Sequence, residues 1–352
     1  MFEKGLAELE AMSRHVGNSP DIVQGGGGNT SVKLDGELMA IKASGYMLKQ
    51  VTAREGFAVV NYKNIRDYYE KGDLKPGADY EKESAEFVRK NTVKLEGIKE
   101  LRPSVEAGFH SIMRTYVIHT HSAYANILCC SGEGKGLLEK IFAGKDYGIL
   151  WAPYVNPGFY LTLEIMKGAQ RQKETLKDFP EAVFMENHGL IVNSDSFERC
   201  IRLNDEINSS IKKYFGIKDA YPEIILDKQD DCMFVSKTGY LAEFFRNSGI
   251  DAGFFERNAL YPDQLVYLNG NISVNGGDKK LNIDTSSGTL TYKTHLAEAR
   301  TMEETLLAYI YVISKIREYG LTLKTMSEKE IGFIAGWEGE KYRKSMISGK
   351  TG

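Results

Sequence analysis

No stretch of this 352-residue chain strings together the roughly 18 consecutive apolar residues that a membrane span requires, so no membrane is expected among its partners. An excess of positive charge is also missing. Lys and Arg number 45 against 48 Asp and Glu, for a net charge of -3, which gives no reason to expect nucleic acid or an anionic surface as a partner. Cysteines are few. Cys129, Cys130, Cys200 and Cys232 form no CxxC pair and read as reduced thiols, mostly small core residues, in a cytoplasmic protein. The opening Met1-Phe2-Glu3-Lys4 has neither the basic region nor the apolar region of a secretory signal, which supports the same cytoplasmic expectation. Internal repeats and low-complexity tracts are lacking. So is a dinucleotide-binding or Walker signature, because no lysine-serine pair or helix start follows the one glycine run at the right spacing.

What is present is an ordinary globular composition, 42% hydrophobic and 26% charged, with length for two domains of roughly 100–200 residues each. The chemistry concentrates at His119-Thr120-His121, which ends the β-branched run Tyr116-Val117-Ile118. In a strand the side chains at i and i+2 share a face, so the two imidazoles project together and Thr120 points the other way. His188 lies in a second apolar run, 182–192, read as another strand. Three neutral histidines with one open position make a catalytic zinc arrangement, whereas a closed structural site would want a fourth protein ligand. Imidazole ligands also suit manganese, cobalt or iron. Just upstream stands Glu106, an acid that can work beside a metal, on a short predicted helix where His110 shares its face. His110 is expected to orient Glu106 or pack beside the site rather than to bind the ion.

Elsewhere, apolar spacing predicts a helix over 2–15. The run Gln24-Gly25-Gly26-Gly27-Gly28-Asn29-Thr30-Ser31 then reads as a backbone nest for an anion. Strands at 32–34 and 38–42 form a hairpin around Asp35-Gly36 and run into the small-residue turn Ala43-Ser44-Gly45. Lys42 suits either a phosphate partner or a solvated strand position. Further strands are predicted at 57–62 and 149–154. Helices are predicted at 81–95, 123–130, 159–176 and 197–215, the last begun by Ser194-Asp195-Ser196 and closed by Gly216. Beyond it, 218–232 reads as an acidic connector. There follow a helix near 241–246, a strand at 264–268, a hairpin of 271–274 with 281–284, and helices at 296–319 and 328–346. The mixed-charge stretch 337–343 is expected to dock on a neighbour. Arg257, Tyr261, Asp263, His295 and Arg300 are polar groups here that could reach a substrate. The default for each is a surface position, and for His295 a helix cap.

Gly28-Asn29-Thr30-Ser31, Lys42-Ala43-Ser44-Gly45, Glu106 with His110, His119-Thr120-His121-Ser122 and Asn187-His188-Gly189-Leu190 occur in the order typical of the class II aldolase/adducin family, which residues 1–215 resemble. The stretches 24–33, Arg102-Pro103-Ser104 and Tyr261-Pro262-Asp263-Gln264 look closest to the aldolase half of bifunctional rhamnulose-phosphate aldolase/lactaldehyde dehydrogenase proteins, without the dehydrogenase half. The resemblance implies an α/β fold: a three-layer α/β/α domain, 1–216, with a mixed, mostly antiparallel central sheet. An α+β extension, 217–352, would serve as lid or oligomer contact. It further implies a homotetramer, zinc on His119, His121 and His188, Glu106 as the acid/base, and Gly28, Asn29, Ser44, Gly45 and Ser104 around a substrate phosphate. Val105 stands where fuculose-phosphate aldolase has a second serine. The family's proton-donating tyrosine has only Tyr147 and Tyr154 as nearby candidates. The implied reaction is cleavage or formation of a ketose, as its 1-phosphate, through a metal-stabilised enediolate, giving dihydroxyacetone phosphate and an aldehyde. An epimerase, dehydratase or decarboxylase on the same site is the alternative, and a non-catalytic adducin-like module a second one.

Overall fold

The computed structural model describes residues 2–336 except 72–73, 75–76, 174–178 and 252, so the stretch 337–343 and the end of the last predicted helix lie outside the described residues. Helix α1 (Glu3–Gly17) buries Leu6, Leu9, Met12 and Val16 along one face, as their spacing predicts. Strands β1 (Asn29–Lys33) and β2 (Leu38–Lys42) form the expected hairpin. Asp35 Oδ1 fixes its turn by accepting the N–H groups of Glu37 and Leu38. Strand β3 (Phe57–Asn61) adds to β2. Asn61 and Asp79 then cap α2 (Tyr62–Glu70) and α3 (Tyr80–Lys90). Next come α4 (Ala107–Ile112), β4 (Tyr116–Thr120), α5 (Ala123–Cys129), α6 (Gly134–Ile141), β5 (Ile149–Ala152) and α7 (Phe159–Lys173), then β6 (Ala182–Met185), β7 (Gly189–Ser194) and α8 (Phe197–Tyr214). Buried Glu81 of α3 accepts the first N–H groups of α7, those of Phe159 and Tyr160. Gly216, at φ +66°, closes α8 as expected.

The strands form one sheet in the order β3-β2-β1-β4-β7-β6-β5, antiparallel except for β5 with β6. The two-residue alternation sorts its side chains. Met39, Ile41 and Val60 pack against α2, α3, α4 and α7 on one face. Val32, Ala40, Val59 and Ile118 pack against α1, α5 and α8 on the other. This is the three-layer α/β/α arrangement that the resemblance implies.

Beyond Gly216 the structure departs from expectation in several places. The segment read as a connector contains β8 (Leu226–Asp230), which pairs with β9 (Met233–Ser236). Its charged side chains are exposed because β8 is an edge strand, and so carry no apolar alternation. After α9 (Gly239–Ser248) and α10 (Phe254–Arg257), the predicted strand at 264–268 is helix α11 (Pro262–Tyr267). Pro262 sits in its first turn, and every residue from 262 to 267 is buried, which erases the periodicity that separates helix from strand. Finally, β10 (Ile272–Val274) and β11 (Leu281–Asp284) are parallel, not a hairpin. Asn275, Gly276 and Gly277, all at positive φ, coil the chain back to the start of its partner strand. Strand β12 (Thr289–Lys293), absent from the sequence reading, joins β11 to β9 and completes a second sheet.

Helix α12 (Leu296–Glu318), whose N-cap is His295 as expected, packs against α5, α9 and α11, and α13 (Glu328–Gly336) packs against α11. A single apolar cluster takes Ile127 and Leu128 from α5, Leu203 and Ile207 from α8, and Leu306, Ile310 and Ile313 from α12. The two halves of the chain therefore share one core. Among the described residues no helix is long and apolar enough to cross a membrane.

Candidate metal centre

Strand β4 lies between β1 and β7, with His119 opposite Asn29 on one side and Ile191 on the other. Its end delivers the two histidines together, His119 within the strand and His121 just past it, as the two-residue period requires. Their Nε2 atoms are 3.1 Å apart. His188 is not within a strand. It occupies the tight turn between β6 and β7, which Asn187 opens at φ +49°. Gly189 follows because a Cβ there would stand 2.3 Å from the Thr120 carbonyl oxygen. The turn carries His188 over the end of β4, with ring centroids 5.0 Å from His119 and 5.2 Å from His121. One ligand atom from each of the three buried imidazoles falls within 4.8 Å of the others.

The hydrogen bonds set which nitrogens face inward. His119 Nδ1 lies 3.1 Å from the Leu190 carbonyl oxygen and His121 Nδ1 lies 2.6 Å from Asp263 Oδ2. Both acceptors place the ring proton on Nδ1, so both Nε2 lone pairs point into the same space. Two acceptors that close, away from water, suit a cation between them. Burial pushes the His119 pKa well below its ordinary value and lowers that of His188, so neutral rings are favoured. A trio of buried imidazoles converging on one point suits a divalent transition metal.

Glu106 closes the group. It precedes α4 and is 3% exposed. Its Oε1 stands 3.3 Å from His188 Nε2 and 3.7 Å from His119 Nε2. Asn29 Nδ2 donates to Oε2, and the Glu106 N–H donates to Ser104 Oγ at 3.2 Å. Two residues expected at a phosphate thus hold the glutamate. Gly28, at φ +68°, lies against the His119 carbonyl oxygen, where a Cβ would come within 2.8 Å. The turn of Ser44 and Gly45 is half-buried and fastened beside Ser104, through pairing of Ala43 with Pro103 and an Ser44 N–H bond to the Arg102 carbonyl. Lys42 is not a solvated strand residue: it is buried, and its Nζ donates to the carbonyls of Gly26 and Tyr46, bracing the glycine run. His110 is fully buried and bonds Ser31 Oγ through Nδ1 at 2.7 Å, outside the trio. Burial brings its pKa down to about 3. It packs against Phe109.

The tyrosine candidates do not reach the group. The Tyr147 hydroxyl donates to Glu206 on α8. Tyr154 packs among Ala259, Leu265 and Met326, and its hydroxyl has no partner among the described residues. Asp263 corrects the sequence reading in the opposite direction. Read as a surface residue, it is 1% exposed on α11 and touches His121 directly. Only its place in Tyr261-Pro262-Asp263-Gln264 hinted at the site. Arg257 and Arg300 pair instead with Asp251 and Glu304.

Residues 7–215 match the Class II Aldolase and Adducin N-terminal domain. The uncharacterized oxidoreductase YuxG of Bacillus subtilis (strain 168) is 29% identical over 222 residues, which is 60% of this chain and 30% of that protein. The chain therefore spans less than a third of that relative's length. Among solved structures, the N-terminal class II aldolase domain of a conserved protein from Thermoplasma acidophilum superposes with a TM-score of 0.50 at 23% identity, covering 61% of this chain and 95% of that one. An L-fuculose 1-phosphate aldolase gives 0.38 at 22% identity, covering 62% and 91%.

Proposed function

Because the chain belongs to the class II aldolase and adducin family through residues 7–215, we propose that it is a metal-dependent carbon–carbon lyase that cleaves or forms a small ketose. The favoured substrate is a ketose 1-phosphate, giving dihydroxyacetone phosphate and an aldehyde. Zinc on His119, His121 and His188, a homotetramer and a cytoplasmic setting complete the reading. Residues 1–216 would be the catalytic domain and 217–352 its cover. One observation carries the proposal: three buried imidazoles converge on one point with the Glu106 carboxylate set against two of them.

A divalent ion at that point supplies Lewis acidity toward a ketone and its neighbouring hydroxyl. The chain supplies the rest. Glu106, once its Oε1 leaves the imidazoles, is the group to take or return the proton at the carbon next to the ketone. Asn29 holds the other carboxylate oxygen and so limits where the first can go. The half-buried Ser44-Gly45 turn, braced beside Ser104, offers small residues and backbone to a phosphate at the edge of the site. Burial of the whole group excludes water from the carbanion-like carbon. A second reading, an epimerase or dehydratase, is favoured by one fact: neither Tyr147 nor Tyr154 brings a hydroxyl to the cluster as a second acid.

The test incubates the metal-loaded protein with a panel of ketoses and ketose 1-phosphates. Release of triose phosphate is expected, and Glu106→Gln should lower kcat by roughly 10²–10⁴-fold while retaining the metal. Solvent deuterium entering beside the ketone without cleavage would replace the lyase by the epimerase or dehydratase. A protein that binds no metal and turns over nothing would be the interaction module instead.

A further inference from the structure

We propose that Asp263 is a positioning residue of the metal centre, so that the segment after residue 216 completes the site as well as covering it. The inference rests on the three-histidine site binding a metal. Asp263 Oδ2 lies 2.6 Å from His121 Nδ1, and both side chains are buried. An aspartate out of water needs partners, and an imidazole N–H is one it has taken. A carboxylate on Nδ1 keeps the proton there, turns the Nε2 lone pair toward the ion and makes that nitrogen more basic. His119 is oriented by a neutral carbonyl, that of Leu190, so His121 is the ligand whose donor strength depends on a charged group.

The surroundings are shaped for this contact. A Cβ at Gly27 would stand 2.2 Å from Asp263 Oδ2 and 2.8 Å from His121 Nδ1, so the glycine run passes the pair where no side chain fits. The approach to α11 is held on both sides. Gln264 accepts the Leu260 N–H at 2.8 Å and donates to the Phe255 carbonyl at 3.1 Å. The Met326 N–H reaches the Ala259 carbonyl at 2.7 Å. Asn187, the residue before the ligand His188, donates its amide to the carbonyls of Leu260 at 2.8 Å and Lys324 at 2.9 Å. The segment that carries Asp263 to one ligand is thus pinned to the turn that carries another.

The experiment measures zinc affinity by competition with a chromophoric chelator for the wild type, Asp263→Asn and Asp263→Ala, with circular dichroism as the check on folding. Loss of an outer partner of this kind costs roughly 10–100-fold in metal affinity, and Asp263→Ala should fall in that range. Asp263→Asn keeps a hydrogen-bond acceptor but not the charge, so it should fall between Ala and the wild type. It also serves should the alanine variant fail to fold. Folded variants that bind zinc as tightly as the wild type would overturn the role of Asp263 and leave the metal site standing. A wild type that binds no zinc would overturn the site itself.

Discussion

Asn29 and Asp263 do one kind of work at the residue scale: each fixes a side chain that would otherwise turn freely at the centre of the site, while Ser104 holds the Glu106 backbone N–H. His110 works by being neutral. Its ring is buried against Phe109 and holds Ser31, and burial brings its pKa from 6.5 to about 3. The unfolded chain therefore takes up this proton first as the pH falls. The stability it contributes is complete above about 6.5 and is lost as the pH drops toward 3. In metal-free protein, urea midpoints for His110→Gln should decline less steeply across that window than those of the wild type. Equal slopes would mean the buried ring does not control the acid limb. The histidine pair was legible in the sequence because a strand's period is two and nothing else is needed to bring them together. Asp263 was not, because its partner is 142 residues away and no local pattern records so distant a contact.

At the scale of elements, the turn between β6 and β7 does the most. Asn187 adopts a left-handed backbone, and its amide bonds two carbonyls of the C-terminal segment. Asn187→Ala loses both bonds and strains the backbone, and should cost about 2–4 kcal/mol in unfolding free energy. Asn187→Gly keeps the φ and loses only the bonds, so it should cost less than the alanine variant. A larger loss for glycine would show that the left-handed conformation is not the constraint. The caps at Ser196 and Gly216 and the Asp35 turn were readable because local hydrogen bonds decide them. Helix α11 and strand β8 were misread for opposite reasons. One is buried on every side and the other is exposed along most of its length, so neither shows a periodic face.

At the scale of the molecule, the site lies at the end of β4 in the first sheet, and the segment that begins after Gly216 brings Asp263 to it. The three-layer architecture of the first 215 residues was legible because its motifs are short and ordered along the chain. The approach of α11 to the site was not, since it depends on α12 sharing a core with α5 and α8. That shared core explains how a carboxylate from α11 comes to stand beside His121, just past β4. Elemental analysis of the purified chain shows whether His119, His121 and His188 hold a divalent ion. About one zinc or comparable ion per chain is expected, absent from folded His119→Ala and His188→Ala variants. A wild type without metal, or variants that keep the full complement, would contradict it.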